Sequence, residues 1–277
     1  MPVIAITQEM GSLAKDVGMQ LAEALKLETM RHEVVDHLSE KMNMPKSVIR
    51  RLREGKAGIV ERFTADQEKM AVYTAAEVFD LASKGNIVLR GWGTTCLLRP
   101  VPHVVCVRIT RSFDKRVEWL MEHLGTDDRD FATAEISRSD EAHASRMHRQ
   151  FGVTRGDPLL YDLVLSTDRV SVASCVELIS RLAARPEFQE TEASHAVLAN
   201  LTLAARIRAA FKDDEKTREV QVTIDSEGDR VILRGIVLNV AERDNTERVA
   251  KTVQGVGSVD NQLRIMASSR LFTSAKY

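Results

Sequence analysis

A chain of 277 residues with 39 Lys and Arg against 40 Asp and Glu has a formal net charge of -1, so no global field recruits nucleic acid or an anionic membrane, and partners must be read from local sites. The length suffices for one large domain and one small one, each burying its own core. Cys96, Cys106 and Cys175 stand far apart in apolar surroundings without CxxC or Cys/His spacing; they read as reduced core thiols and exclude a zinc site. The start of the chain lacks a signal-peptide pattern and no apolar run is long enough to cross a bilayer, so a cytoplasmic protein that does not span a membrane is expected.

In chain order, Val3-Ile4-Ala5-Ile6-Thr7 reads as a short strand that runs through Gly11-Ser12 into an amphipathic helix from about Lys15. This is the layout of a phosphate-binding loop, in which glycine N–H groups cradle phosphates, a lysine reaches the β/γ-phosphates and a hydroxyl holds magnesium. Gln8 to Asp16 offers one glycine, one serine and a lysine out of register, so the layout is present and several parts are missing. Val17, Leu21 and Leu25 give the helix one apolar face, with Gly18 and Ala22 permitting close packing. Glu28 to Lys46 predicts a short extended piece and a helix ending before Pro45. Thr64, three residues before Gln67, predicts a capping box for a helix with Ala71, Ala75, Val78 and Ala82 on one face and Gly85 at its end.

Three further apolar runs follow, Asn86 to Gly91, Val104 to Ile109 and Tyr161 to Thr167. The second precedes a helix capped by Ser112, and the third precedes a helix with Val172, Cys175, Val176, Ile179 and Leu182 facing inward. Apolar strands separated by helices require a parallel sheet covered on both faces, so residues 1–185 are expected to form an α/β domain. Residues 186–200 are polar and aperiodic, a linker or an exposed helix. Residues 201–267 predict a small α/β domain: a helix face of Leu203, Ile207, Ala210 and Phe211, strands at 220–224 and 231–233 joined by a turn at 226–229, a helix around Val249 and Val253, and a strand over 259–266. Residues 268–277 read as a tail.

The residues of the first domain resemble the cytidylate kinase-like family of P-loop nucleoside-monophosphate kinases. The resemblance rests on the first strand with Gly11-Ser12, the phrase Gly85-Asn86-Ile87-Val88-Leu89-Arg90-Gly91, Arg116 after the fourth strand, and Gly156-Asp157-Pro158 leading into Tyr161-Asp162-Leu163-Val164-Leu165-Ser166-Thr167. The last segment is similar to a BON domain, on Val231 to Val237, Ala241-Glu242-Arg243 and Gly255 to Leu263. The resemblance implies a P-loop kinase fold that uses ATP and Mg2+ to phosphorylate a nucleotide such as CMP. It implies Gly11, Ser12, Lys15 and Asp16 at the cofactor phosphates, Ser12 on the metal, Lys15, Arg116 and Arg155 neutralising the transferred phosphoryl group, and Trp92, His143 and Arg146 at the substrate. A homo-oligomer and a protein, ion or lipid partner of the BON domain stay open.

Several of the family's parts are replaced. The loop reads Gly11-Ser12-Leu13-Ala14-Lys15 where the family carries a GSGGR-like run; leucine takes a positive φ at a cost, so the loop is expected to lose its wrap around a phosphate. The helix N-terminus, Ser12 and Lys15 still offer an anion site. Arg31-His32 stands for an acidic-arginine pair, Gly91-Trp92 for Gly-Arg, and Glu141-Ala142-His143 follows Asp140 where arginines are expected. Phosphoryl transfer depends on positioning and on cations, so the alternative is a pseudokinase that senses a nucleotide or anion and signals through its BON domain. Arg116 competes with a solvated helix arginine, Arg155 with plain turn chemistry at Gly156-Asp157-Pro158, Trp92 with core packing, and the basic run His143, Arg146, His148 and Arg149 with an ordinary solvated face. His143 and His148 are wrongly spaced for a shared metal.

Overall fold

The computed structural model describes residues 2–7, 9–30, 33–58, 60–61, 66–91 and 93–266, and it divides into two compact units, Met1–Leu198 and Ala199–Tyr277. The first unit is built in the order β1 (Val3–Ile6), α1 (Ala14–Leu25), β2 (Glu28–Thr29), α2 (Glu33–Met42), α3 (Lys46–Glu54), α4 (Gln67–Lys84), β3 (Ile87–Arg90), α5 (Thr94–Leu97), β4 (Val104–Thr110), α6 (Phe113–Leu124), α7 (Arg129–Phe151), β5 (Leu163–Ser166) and α8 (Val172–Ala183). Its five strands pair in the order β2-β3-β1-β4-β5, every pair parallel. β1 lies between β3 and β4, with Val3 opposite both Ile87 and Val104.

The side-chain alternation of a strand places Ile4 and Ile6 on one face, where they join Val17 and Leu21 of α1 and Cys175 and Ile179 of α8 in one core. Val3 and Ala5, on the other face, are equally buried, and α4 and α5 pack against β3 and β1. Both faces are covered, which is why the strands read as unbroken apolar runs. Cys106 and Cys175 are buried and Cys96 half-buried, all as free thiols; burial pushes the Cys106 thiol up to about 12.

Some elements differ from expectation. Past Pro45 a further helix, α3, begins with Pro45 at its N-cap. The weak apolar period of this arginine-rich stretch hides a helix with only Ile49 buried. The cap of α4 is Asp66, whose carboxylate accepts from the Lys69 N–H; Thr64 lies outside the described residues, as do Arg31, His32 and Trp92. Residues 186–200 hold a 3-10 turn, Pro186–Phe188, and the start of α9 (Glu192–Asp213).

The second unit adds to α9 the strands β6 (Thr223–Glu227), β7 (Arg230–Val237) and β8 (Ser258–Ile265), with α10 (Val240–Thr252) between the last two. β6 and β7 are antiparallel and β7 and β8 parallel, and α10 supplies the crossover that a parallel pair needs. Leu203, Ile207 and Phe211 of α9 share its core with Val231, Leu233, Val249 and Leu263. β6 starts at Thr223 and continues through Ser226 and Glu227, so the hairpin turn narrows to Gly228-Asp229. Residues 267–277 lie outside the described part. Among the described residues no helix is long and apolar enough to cross a membrane.

Candidate functional site

Beyond β1 the chain turns through Glu9 to Ser12 and enters α1. Gly11 (φ +77) is required there: a Cβ would stand 2.9 Å from the Cβ of Arg116 and 3.0 Å from its Cα. Leu13, at φ +62, adopts the left-handed conformation that the glycine of a phosphate loop would supply. Leucine thus takes the turn in spite of its Cβ, at a strain cost of about 1–2 kcal/mol. α1 has no side-chain cap, so no N-cap side chain satisfies its first-turn N–H groups.

Behind this loop lies a network of buried and half-buried charges. Glu9 accepts from Arg155 (2.5 Å), Arg108 (3.1 Å) and the Thr110 hydroxyl (3.1 Å). Asp140 takes Arg116 as a two-pronged pair at 2.9 and 2.5 Å and Arg155 at 3.1 Å. Arg116 is 5% exposed and Glu9 8%, so neither is a solvated surface group. Burial pushes the Asp140 carboxyl up, yet the bonds and charges of Arg116 and Arg155 outweigh it and hold it below the usual carboxylate range.

In front of the network is a cavity of about 360 Å³, lined by Gly11 to Asp16 without Ser12, by Arg53 and Glu54 of α3, by Trp119 and His123 of α6, and by Ser139, Asp140, His143 and Arg146 of α7. Its volume is at the small end of ligand pockets. Cations crowd one side of it. Burial, then the charges of Arg146 and Arg90, lower Arg53 to about 9. Burial, then Arg155, Arg146 and Arg53, push His143 down to about 3 and keep it neutral. Arg90, at the end of β3, is also lowered by burial, partly offset by Asp16, and its buried Nε has no hydrogen-bond partner. Arg146 donates to the carbonyls of Arg53 (2.5 Å) and Leu52 (3.5 Å), capping the C-terminal end of α3.

Of the residues expected at the site, Gly11, Lys15, Asp16, His143 and Arg146 meet at this cavity. Arg116 and Arg155 stand behind it, spent on Asp140 and Glu9. Ser12 is fully buried and its hydroxyl donates to the Glu9 carbonyl at 3.0 Å, so as arranged it does not fit the expected role of magnesium ligand. Sequence reasoning missed Glu9, Arg53, Arg90, Arg108 and Trp119. Arg108 and Thr110 carried a legible signal, because polar residues two apart at the end of an apolar strand share one face.

A model of the cytidylate kinase-like family matches residues 3–169, more than half of the sequence. The chain belongs to the cytidylate kinase-like family. A BON domain matches residues 200–267. Among solved structures, the kinase-like unit is similar to an uncharacterized protein from Eubacterium ventriosum, with 18% identity, a TM-score of 0.52, and coverage of 66% of this chain and 97% of that one. Shikimate kinases from Acinetobacter baumannii (13% identity, TM-score 0.41, 66% and 92% covered) and Bacteroides thetaiotaomicron (14%, 0.42, 65% and 97%) also match. No curated protein matches the chain. The family match together with the all-parallel five-stranded sheet gives the first unit a P-loop kinase-like fold.

Proposed function

We propose that the kinase-like unit binds a nucleotide or a related phosphate-bearing ligand in the cavity before α1, and that it turns over slowly. The observation that carries this reading is the convergence of the uncapped N-terminus of α1 with Lys15, Arg53, Arg146 and neutral His143 on one small cavity. An anion there relieves the crowding that lowers Arg53 and His143. Slow turnover follows from Arg116 and Arg155: a moving phosphoryl group needs cations aimed at it, and these two are held by Asp140 and Glu9. ATP with Mg2+ as donor and CMP as acceptor are the ligands the family suggests. In this reading magnesium would arrive with the phosphates, because the Ser12 hydroxyl is turned inward.

The BON domain is assigned interaction with a protein, ion or lipid partner, and the kinase-like unit is assigned the sensing of a ligand. Calorimetric titration with ATP-magnesium and with CMP tests the first claim. Lys15→Ala is expected to weaken binding about tenfold, the scale of a lost charge-assisted hydrogen bond. Transfer from ATP to CMP, dCMP or UMP at roughly 1 per second or faster would overturn the sensor reading in favour of an active kinase.

A further inference from the structure

The three-stranded sheet of the second unit ends in β8, whose far edge pairs with no strand among the described residues. β8 runs for eight residues without proline, glycine or lysine, longer than most strands, and such an edge is a template for another strand. The opposite edge is better protected. β6 has five residues, among them Asp225 and Glu227, and its Ser226 hydroxyl is bonded to the Asn200 carbonyl.

Three bonds fix the backbone directions along β8. The N–H groups of Ser258 and Met266 donate toward β7, to the carbonyls of Asp229 (3.3 Å) and Val237 (2.8 Å), whereas that of Leu263 donates to Asn261 Oδ1 of its own strand (3.2 Å). Alternate residues of a strand turn their N–H and C=O to the same neighbour. Asp260, Gln262 and Arg264 therefore face β7 with their backbone groups, and Val259, Asn261, Leu263 and Ile265 present theirs to the open edge. An antiparallel strand added there meets those four in hydrogen-bonded pairs, and meets the residues between them in the closer pairs that lack hydrogen bonds.

If the added strand is β8 of a second copy related by a two-fold axis, the position of the axis sets the register. With the axis at Gln262, the middle of the strand, Asp260 of each copy lies opposite Arg264 of the other in a close pair, and Val259 lies opposite Ile265. Moving the axis by one residue opposes Asp260 to Gln262 or to Met266 and leaves the charges unmatched. Both charges are available at the edge. Arg264 is exposed and has no ion pair or hydrogen bond among the described residues. Asp260 receives Arg230 (2.6 Å) and Gln262 (3.1 Å), both on Oδ2, so Oδ1 remains for a guanidinium from across the edge. Ile265, 40% exposed, gains cover from Val259.

We infer that β8 pairs antiparallel with β8 of a second copy of this chain, so that the BON domain joins two molecules through one continuous sheet. The bond from the Leu263 N–H to the Asn261 side chain is exchanged for a main-chain pair between the same two residues of opposite copies. This names the partner for the interaction assigned to the BON domain and rests on that reading; it is independent of what the kinase-like unit binds.

The full chain is compared with two charge reversals, Arg264→Glu and Asp260→Lys, by sedimentation velocity across the micromolar range. The unaltered chain is expected to pass from monomer to dimer as concentration rises. Each variant alone sets like charges opposite each other in both close pairs, and its dimer dissociation constant is expected to rise about tenfold or more. An equimolar mixture of the two variants restores opposite charges in both pairs, so dimerisation should return toward its original strength, which a variant that merely misfolds would not do. A chain that stays monomeric throughout overturns the pairing and leaves the BON domain to a different partner. A dimer that neither reversal weakens overturns it by placing the self-interaction away from this edge. Weakening without recovery in the mixture overturns the register on which the inference stands.

Discussion

Asp140 sits where two questions meet, because one carboxylate ties Arg116 and Arg155 together at the back of the cavity. A carboxylate gripped by paired guanidinium groups offers them what a phosphate oxygen would, so ligand and Asp140 compete for the same cations. Asp140→Asn removes the charge and keeps the shape. The expected outcome is pyrophosphate affinity about tenfold tighter by calorimetry, together with a loss of about 2 kcal/mol in urea unfolding, because Arg116 is left buried without its counter-ion. Unchanged affinity would mean that the network never yields to the ligand. His143 makes the second prediction at this scale. Its folded value of about 3 lies below the ordinary 6.5, so the unfolded chain binds the proton first, and stability falls as pH drops from about 6.5 toward 3. Between pH 7 and 5 the contribution is about 1–2 kcal/mol. His143→Gln should flatten that part of the profile in paired urea titrations. A phosphate bound beside the ring raises its value, so pyrophosphate should bind more tightly at pH 5 than at pH 7.

At the scale of elements, α3 and α7 form the wall that brings Arg53 to the cavity, and two features hold it. Arg146 caps the carbonyl end of α3, and Gly55, at φ +73, lets that end approach so closely that a Cβ would stand 2.8 Å from the Cβ of Ala142. Gly55→Ala combines a left-handed φ with that overlap and is expected to cost about 2 kcal/mol or more. The cost should be local, with hydrogen exchange quickening in α3 and hardly in β1; uniform exchange would show that α3 is not a separate wall. The short apolar strands and the α1 and α8 faces are legible because burial on both sides of a sheet imposes unbroken apolar runs, and packing of a helix on it a 3.6-residue period. α3 was not, since its one buried residue, Ile49, leaves no period to read. The same limit hid the site network. Glu9, Arg108 and Asp140 lie far apart in sequence and meet only because β4 lies beside β1 and α7 folds back on α6, whereas Gly11, Lys15 and His143 were legible because a strand-loop-helix layout and a family pattern are local. At Leu13 propensity speaks against a positive φ, and the surrounding loop overrides it.

For the whole molecule, the two units have separate cores, and each is expected to fold without the other. The point at which the chain is cut decides how well the second does so. α9 begins at Glu192 and the contact boundary falls at Ala199, so a cut at residue 201 severs a helix. It also removes Asn200, whose carbonyl accepts from the Ser226 hydroxyl at 2.7 Å and whose side-chain oxygen accepts from the Gly228 N–H at 3.0 Å, the bonds that tie α9 to the β6–β7 hairpin. Each is worth about 1 kcal/mol, and the lost first turns of α9 add to the deficit because a shortened helix propagates from a weaker start. Residues 192–277 should therefore unfold cooperatively in urea and exceed residues 201–277 in stability by about 2 kcal/mol. Residues 1–191 should give a transition of their own, and equimolar mixing of the two fragments should leave both transitions in place. Equal stability of the two C-terminal fragments would remove Asn200 and the first turns of α9 from the second unit's support. A 192–277 fragment without a cooperative transition would show that this core needs the kinase-like unit, and the modular assignment of the BON domain as a separable interaction partner would fall with it.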